Sequence, residues 1–150
     1  MQQSSIRSYL SVTKPRISIL VNFVSVISFF LSLTVNQINL ARGDIFEVVR
    51  FHPIGFIILL ISGILSVAGA SAFNNYFDQD LDSVMSRTKK RPLPSGKILD
   101  AKNVLILASV LTLISLLLSW IFINPATSFF IALGVFTYVI IYTKFLKRRS

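Results

Sequence analysis

Residues 53–82 read PIGFIILLISGILSVAGASAFNNYFDQDLD, and this stretch decides the fold. From Pro53 to Phe77 no residue carries a charge; Asp78, Asp80 and Asp82 then follow within five positions. A helix needs about 20 mostly apolar residues to cross a bilayer, so 53–77 is long enough, with Pro53 suited to the first turn. Its end is the unusual part. Three carboxylates stand where an apolar helix leaves the membrane, and Arg87, Lys89, Lys90 and Arg91 come just behind them. Ionisable groups near membrane depth are costly and mark function by default.

On a helix, Asn74, Asp78 and Asp82 fall at i, i+4 and i+8 and share one face, about 6 Å apart per step. Asp80 projects to the other side. Hard oxygen ligands on one face suit Mg²⁺, which keeps several waters and completes its shell with substrate phosphates. A calcium loop is excluded by spacing: counted from Asp78, the sixth position is Ser83 rather than glycine and the twelfth is Lys89 rather than glutamate. A role as simple counter-ions leaves the asparagine one turn before the aspartates unexplained.

Outward from this stretch, the 150-residue chain is 53% hydrophobic and 14% charged, against roughly 25% charged in soluble domains. Its mean hydropathy is +0.72. The composition is that of a membrane protein. Three further spans are expected at 17–35, 103–123 and 126–145, the last two joined by a tight Asn124-Pro125 turn. The apolar run after Arg16 is too long for a signal-peptide core and lacks a small-residue cleavage site. Cysteine is absent, which removes disulfides, thiolate metal sites and cysteine nucleophiles.

The net charge of +9 does not indicate nucleic acid, because the cations flank the apolar segments. Of the 15 basic residues, all but Arg42 and Arg50 lie at the N-terminus, between spans two and three, or at the C-terminus. The positive-inside rule therefore places both termini and the Asp-rich loop in the cytoplasm, in a multi-pass protein of the cell membrane. The small residues Gly63, Ala68, Gly69, Ala70, Ser71 and Ala72 let span two approach other helices, so its carboxylate face is expected to point into the bundle. Trp120, Tyr138 and Tyr142 lie near span ends as interfacial aromatics, and 37–52 is expected along the outer surface.

Arg87 and Arg91, at i and i+4, are candidates to hold diphosphate oxygens, since the planar guanidinium fork fits that geometry. The plainer account of the basic run is topology and attraction to anionic lipid. The Pro92-Leu93-Pro94-Ser95-Gly96 turn is expected to fold this segment back over the site. Lys14 and Arg16 stand at the same membrane level, where they serve either as phosphate ligands or as interfacial anchors. His52 has no second histidine or cysteine with which to make a metal site.

At these residues the chain resembles the UbiA superfamily of intramembrane aromatic prenyltransferases, whose first acidic motif has the form N-x-x-x-D-x-x-x-D. Within it, the chain looks most like the protoheme IX farnesyltransferase (haem O synthase) family. The likeness is carried by YLSVTKPR from Tyr9, FNNYFDQDLD from Phe73, RTKKRPLPSGKI from Arg87 and YTKFLKR from Tyr142, with Asn75 standing where quinone-pathway relatives commonly have aspartate. The resemblance implies that Asn74, Asp78 and Asp82 bind farnesyl diphosphate through Mg²⁺, and that Arg87, Lys90, Arg91 and Lys14 neutralise the diphosphate. It implies transfer of the farnesyl group to a vinyl group of haem b, a substrate rather than a cofactor, giving haem O for haem–copper oxidase assembly. Other UbiA-type acceptors, a quinone precursor or a glycerol phosphate lipid, and a non-catalytic membrane subunit are the alternative readings.

The resemblance also sets the fold class: all-α, integral to the membrane, with four transmembrane helices forming the N-terminal part of a nine-helix bundle. Residues 1–150 are then one partial domain. Family members are about twice this length and carry a second acidic motif, whereas the acids here outside the first motif are Asp44, Glu47 and Asp100. The expectation is a fragment or one half of a split enzyme, inactive alone and partnered by a complementary C-terminal half.

Overall fold

A computed structural model describes residues 6–42 and 53–146, and among these every regular element is helical. The order is α1 (Ile6–Val12), α2 (Pro15–Arg42), α3 (Pro53–Phe77), α4 (Gln79–Val84), α5 (Ala101–Phe122) and α6 (Pro125–Phe136). A π-helical segment, Thr137–Leu146, continues α6. Two helices, α3 and α5, are long and apolar enough to cross a membrane; Pro15–Leu31 and Pro125–Ile141 are shorter apolar stretches. His52, Asp44, Glu47, Arg50 and the cations from Lys147 onward lie outside the described residues, as does most of the proposed outer segment 37–52.

Helix boundaries follow local chemistry. Asp100 caps α5 by accepting from the Lys102 amide, and Asn124 caps α6 by accepting from Thr127, with Pro125 in the first turn. Both are residues that satisfy the otherwise unpaired amides of a first turn. The segment between α4 and α5 is a series of turns: Met85 leaves the helix in an extended conformation, and Pro92 and Pro94 keep the later part from resuming one. Gly96 adopts φ +72°, and the Ile98 amide reaches back to the Pro92 carbonyl at 3.1 Å.

The most extensive interface joins α3 to α5, and small residues make it. A Cβ on Gly69 would lie 3.0 Å from the Ala108 carbonyl oxygen and closer still to Thr112 Oγ1, so the two backbones meet at nearly the closest possible approach. Ser115 Oγ donates to the Ser62 carbonyl across the same interface at 2.7 Å, and Ser128 Oγ ties α6 to the Leu116 carbonyl of α5 at 3.0 Å. On α2, Asn22 packs against Gly63 of α3.

Large apolar side chains point outward: Leu20, Phe23, Phe30, Ile106, Leu113, Ile121, Phe129 and Phe130 are all exposed. Water does not tolerate so broad an apolar surface on a monomer, and lipid does. One apolar cluster lies at the polar end of the bundle. There Val12, Ala72, Ile98, Val104 and Ala108 are buried, with Tyr9, Phe73, Tyr76 and Leu93 packed on them. This cluster clamps α1 and the turn after Arg91 onto α3 and α5, and so fixes the floor beneath the carboxylates.

Candidate functional site

The site is assembled where α3 breaks. Asp78 has φ −94° and ψ 1°, in the sparsely populated bridge region between helical and extended backbone. The break leaves the helical register intact, because the Asp78 amide still bonds to the Asn74 carbonyl (3.0 Å) and the Asp82 amide to the Asp78 carbonyl (2.7 Å). Asn74, Asp78 and Asp82 therefore stay on one side, at 4%, 0% and 0% exposure, while Asp80 faces outward. The 3.6-residue period accounts for both outcomes.

Four contacts from other segments close around this face. Lys14, in the link between α1 and α2, donates from Nζ to Asn74 Oδ1 at 3.2 Å. Its backbone is left-handed, with φ +48°, a conformation that costs a non-glycine residue roughly 1–2 kcal/mol. Arg91 Nη1 bonds Asp82 Oδ2 at 2.5 Å, and Thr88 Oγ1 donates to the Asp82 carbonyl at 3.3 Å. Thr143, fully buried on the π segment, accepts from Asn74 Nδ2 at 3.0 Å. The second Asn74 amide hydrogen goes to Asp78 Oδ2 at 2.9 Å.

Of the residues singled out in the sequence, Lys14, Asn74, Asp78, Asp82 and Arg91 converge. Arg87, Lys89 and Lys90 are exposed on the turns behind them. The i, i+4 spacing of Arg87 and Arg91 does not put them on one face, because 85–99 is not helical. Arg16 is exposed at the start of α2, and the structure gives Lys14 the inward contact instead. Two residues of the family-like strings make contacts that helical spacing did not assign them. Thr143, in the YTKFLKR string, is one. Asn75 is the other: its Nδ2 donates to the Val12 carbonyl (3.1 Å) and the Ser71 carbonyl (2.8 Å), fastening α1 to α3 beside the site.

Among the described residues, no three carboxylate, histidine or cysteine side chains close on a point that would hold a metal by themselves. The donor set nevertheless fits a hard cation shared with a ligand. Asp82 Oδ1 is buried and accepts no hydrogen bond among the described residues, although such atoms are nearly always satisfied. Two carboxylates and an amide oxygen supply oxygen donors alone, as Mg²⁺ prefers.

An apolar cavity of about 660 Å³ lies beside this polar cluster between α2, α3 and α6, lined in part by Ile17, Ser71, Ala70, Val67 and Tyr138. Ile17 follows Lys14 by three positions and Ser71 precedes Asn74 by three, so the cavity wall begins within a turn of Lys14 and Asn74 and about two turns of helix from Asp78. It extends along α3 to Leu59, about 18 Å of helix from Ser71.

Residues 47–150 match the sequence profile of the UbiA prenyltransferase family. The chain belongs to that family. Among curated UbiA-family relatives, the protoheme IX farnesyltransferase of Bartonella henselae is 34% identical over 147 residues, covering 97% of this chain and 42% of the relative. Protoheme IX farnesyltransferase 1 of Cenarchaeum symbiosum is 37% identical over 146 residues, 96% of this chain and 45% of the relative. The Bartonella tribocorum protoheme IX farnesyltransferase is 38% identical over 146 residues, 97% and 42% of the two chains. The chain thus spans less than half the length of these relatives. No solved structure matches it. UbiA membership and the outward-facing apolar helices together mark a membrane protein.

Proposed function

We propose that this chain forms the part of a protoheme IX farnesyltransferase that binds farnesyl diphosphate and promotes departure of its diphosphate. The observation that carries the reading is the buried Asn74–Asp78–Asp82 face, flanked by Lys14 and Arg91, at the head of an apolar cavity. Oxygen donors and fixed cations at one end, with a hydrocarbon slot at the other, match a prenyl diphosphate group for group. Bound Mg²⁺ would add charge to neutralise the leaving diphosphate. Asn74, Asp78 and Asp82 would hold that ion.

In the reaction, the bond from the allylic carbon to the diphosphate oxygen breaks and its electron pair leaves with the diphosphate. Lys14 and Arg91 stand where that negative charge gathers, and preorganised cations of this kind lower the barrier to ionisation. Arg87 and Lys90, exposed on the neighbouring turns, would join them if the loop folds inward around substrate. A vinyl carbon of haem b attacks the farnesyl cation, and water adds to the resulting cation with loss of a proton, giving haem O. The apolar cavity walls keep water from the farnesyl cation before then. The product would enter haem–copper oxidase assembly.

The membrane arrangement we propose has four spans, with α2 and the continuous α6–π unit joining α3 and α5, in a multi-pass protein of the cell membrane. Both termini and the Asp-rich loop face the cytoplasm in this arrangement, following the cation distribution. Residues 1–150 then form one UbiA-type domain segment, completed by a C-terminal half in its working state.

The test is product formation. Membranes carrying this chain with the remaining part of the Bartonella henselae relative receive labelled farnesyl diphosphate, Mg²⁺ and haem b. Label in haem O, abolished by Asp78→Asn, is expected. Label in a quinone precursor or a glycerol phosphate lipid, or equal transfer by Asp78→Asn, overturns the proposal.

A further inference from the structure

We infer that Thr143 is a positioning residue that sets which way the Asn74 amide faces, and so keeps the amide oxygen toward Lys14 on the cationic, diphosphate side of the site; the inference rests on the diphosphate reading above. Thr143 Oγ1 donates to the Tyr138 carbonyl at 3.0 Å, a contact five residues back that matches the π-helical spacing of Thr137–Leu146. A hydroxyl has a single hydrogen, so toward Asn74 this oxygen is an acceptor.

Asn74 must therefore turn its nitrogen to Thr143. Its two amide hydrogens are then spent, one on Thr143 Oγ1 and one on Asp78 Oδ2. The amide oxygen is left facing Lys14 Nζ, on the cationic side of the site. Reversing the amide would set oxygen against a carboxylate and a hydroxyl lone pair, and nitrogen against an ammonium, so all three contacts would turn repulsive. Asp78 alone also favours this orientation. Thr143 adds the second acceptor and holds Asn74 from a helix 69 residues away in sequence. The π turn is what directs Thr143 inward, as π bulges often do at functional sites.

Thr143→Val keeps the β-branched shape and removes the hydroxyl; Thr143→Ser keeps the hydroxyl and removes the methyl group. The purified chain in lipid nanodiscs is titrated with farnesyl diphosphate in Mg²⁺, and the Asn74 side-chain amide is followed by ¹⁵N NMR, assigned by its loss in Asn74→Ala. Thr143→Val should weaken binding roughly tenfold, the scale of one hydrogen bond, and Thr143→Ser should restore most of it. In an Asn74→Ala background, Thr143→Val should add nothing, because a residue acting through Asn74 has nothing left to act on. The Asn74 amide hydrogens should exchange faster in Thr143→Val and stay protected in Thr143→Ser.

An additive loss in the double variant, or unchanged Asn74 exchange in Thr143→Val, overturns the inference. If the unmodified chain shows no farnesyl diphosphate binding, the functional reading fails. The amide exchange then decides by itself whether Thr143 positions Asn74.

Discussion

Arg91 and Asp82 meet across a turn of nine residues, guanidinium to carboxylate at 2.5 Å, with the Asp82 side chain 1% exposed and the Arg91 side chain 27% exposed. The pair joins the second aspartate of the acidic face to the loop behind it, so it serves loop anchoring and local charge balance at once. Its second oxygen, Oδ1, is left without a hydrogen bond among the described residues.

Arg91→Met leaves a buried carboxylate without its cation. We expect a loss of about 2–3 kcal/mol, below the range for a fully buried pair because the guanidinium is partly solvated. Asp82→Asn combined with Arg91→Met should recover most of that stability while Mg²⁺-dependent diphosphate binding stays lost. Reversible unfolding in mixed detergent, set beside ligand titration, separates the two effects.

Lys14 carries its charge on a left-handed backbone. Lys14→Gly removes that conformational cost, so stability should rise by as much as about 1 kcal/mol. Farnesyl diphosphate affinity should fall roughly tenfold, as expected for losing one charged contact. Lys14→Ala should lose affinity equally without the gain in stability. Thermal unfolding and titration of both variants check this.

The acidic face was legible because helical periodicity alone gathers Asn74, Asp78 and Asp82 and turns Asp80 away. The break at Asp78 could have undone it, but the amide bonds on either side preserve the register. Arg87 and Arg91 do not share a helical face, because the chain leaves the helix at Met85, and Arg87 is exposed while Arg91 reaches Asp82. Thr143 stands in the family-like YTKFLKR string, but nothing there points to its contact with Asn74. Its role depends on a contact across 69 residues and on a π turn, and local sequence encodes neither. The long apolar helices α3 and α5 were legible from length and hydropathy, and the closeness of their packing from the small residues around Gly69.

Gly69 and Gly134 should respond oppositely to alanine. At Gly69 a Cβ would press on Thr112 and on the Ala108 backbone, and we expect a loss of about 1–3 kcal/mol. At Gly134 it would meet nothing within 4 Å, and alanine's better helix propensity should add up to about 1 kcal/mol. Unfolding midpoints of the two variants, measured side by side, test the α3–α5 crossing.

Asn75→Asp exchanges a donor for a carboxylate facing the Val12 and Ser71 carbonyls. Residues Ile6–Val12 should lose hydrogen-exchange protection, since like-polarity oxygens would replace both bonds. Exchange mass spectrometry of α1 reads this directly.

We propose the Asn74–Asp78–Asp82 face as a metal-dependent diphosphate site. The most direct measurement is a titration of the 150-residue chain in lipid nanodiscs with farnesyl diphosphate, with Mg²⁺ and then with chelator, repeated for Asp78→Asn and Asp82→Asn. Saturable binding that requires Mg²⁺ and weakens by roughly tenfold or more in each variant is predicted, the scale of a lost charge-assisted contact. Equal affinity in chelator, or in both variants, would contradict the account.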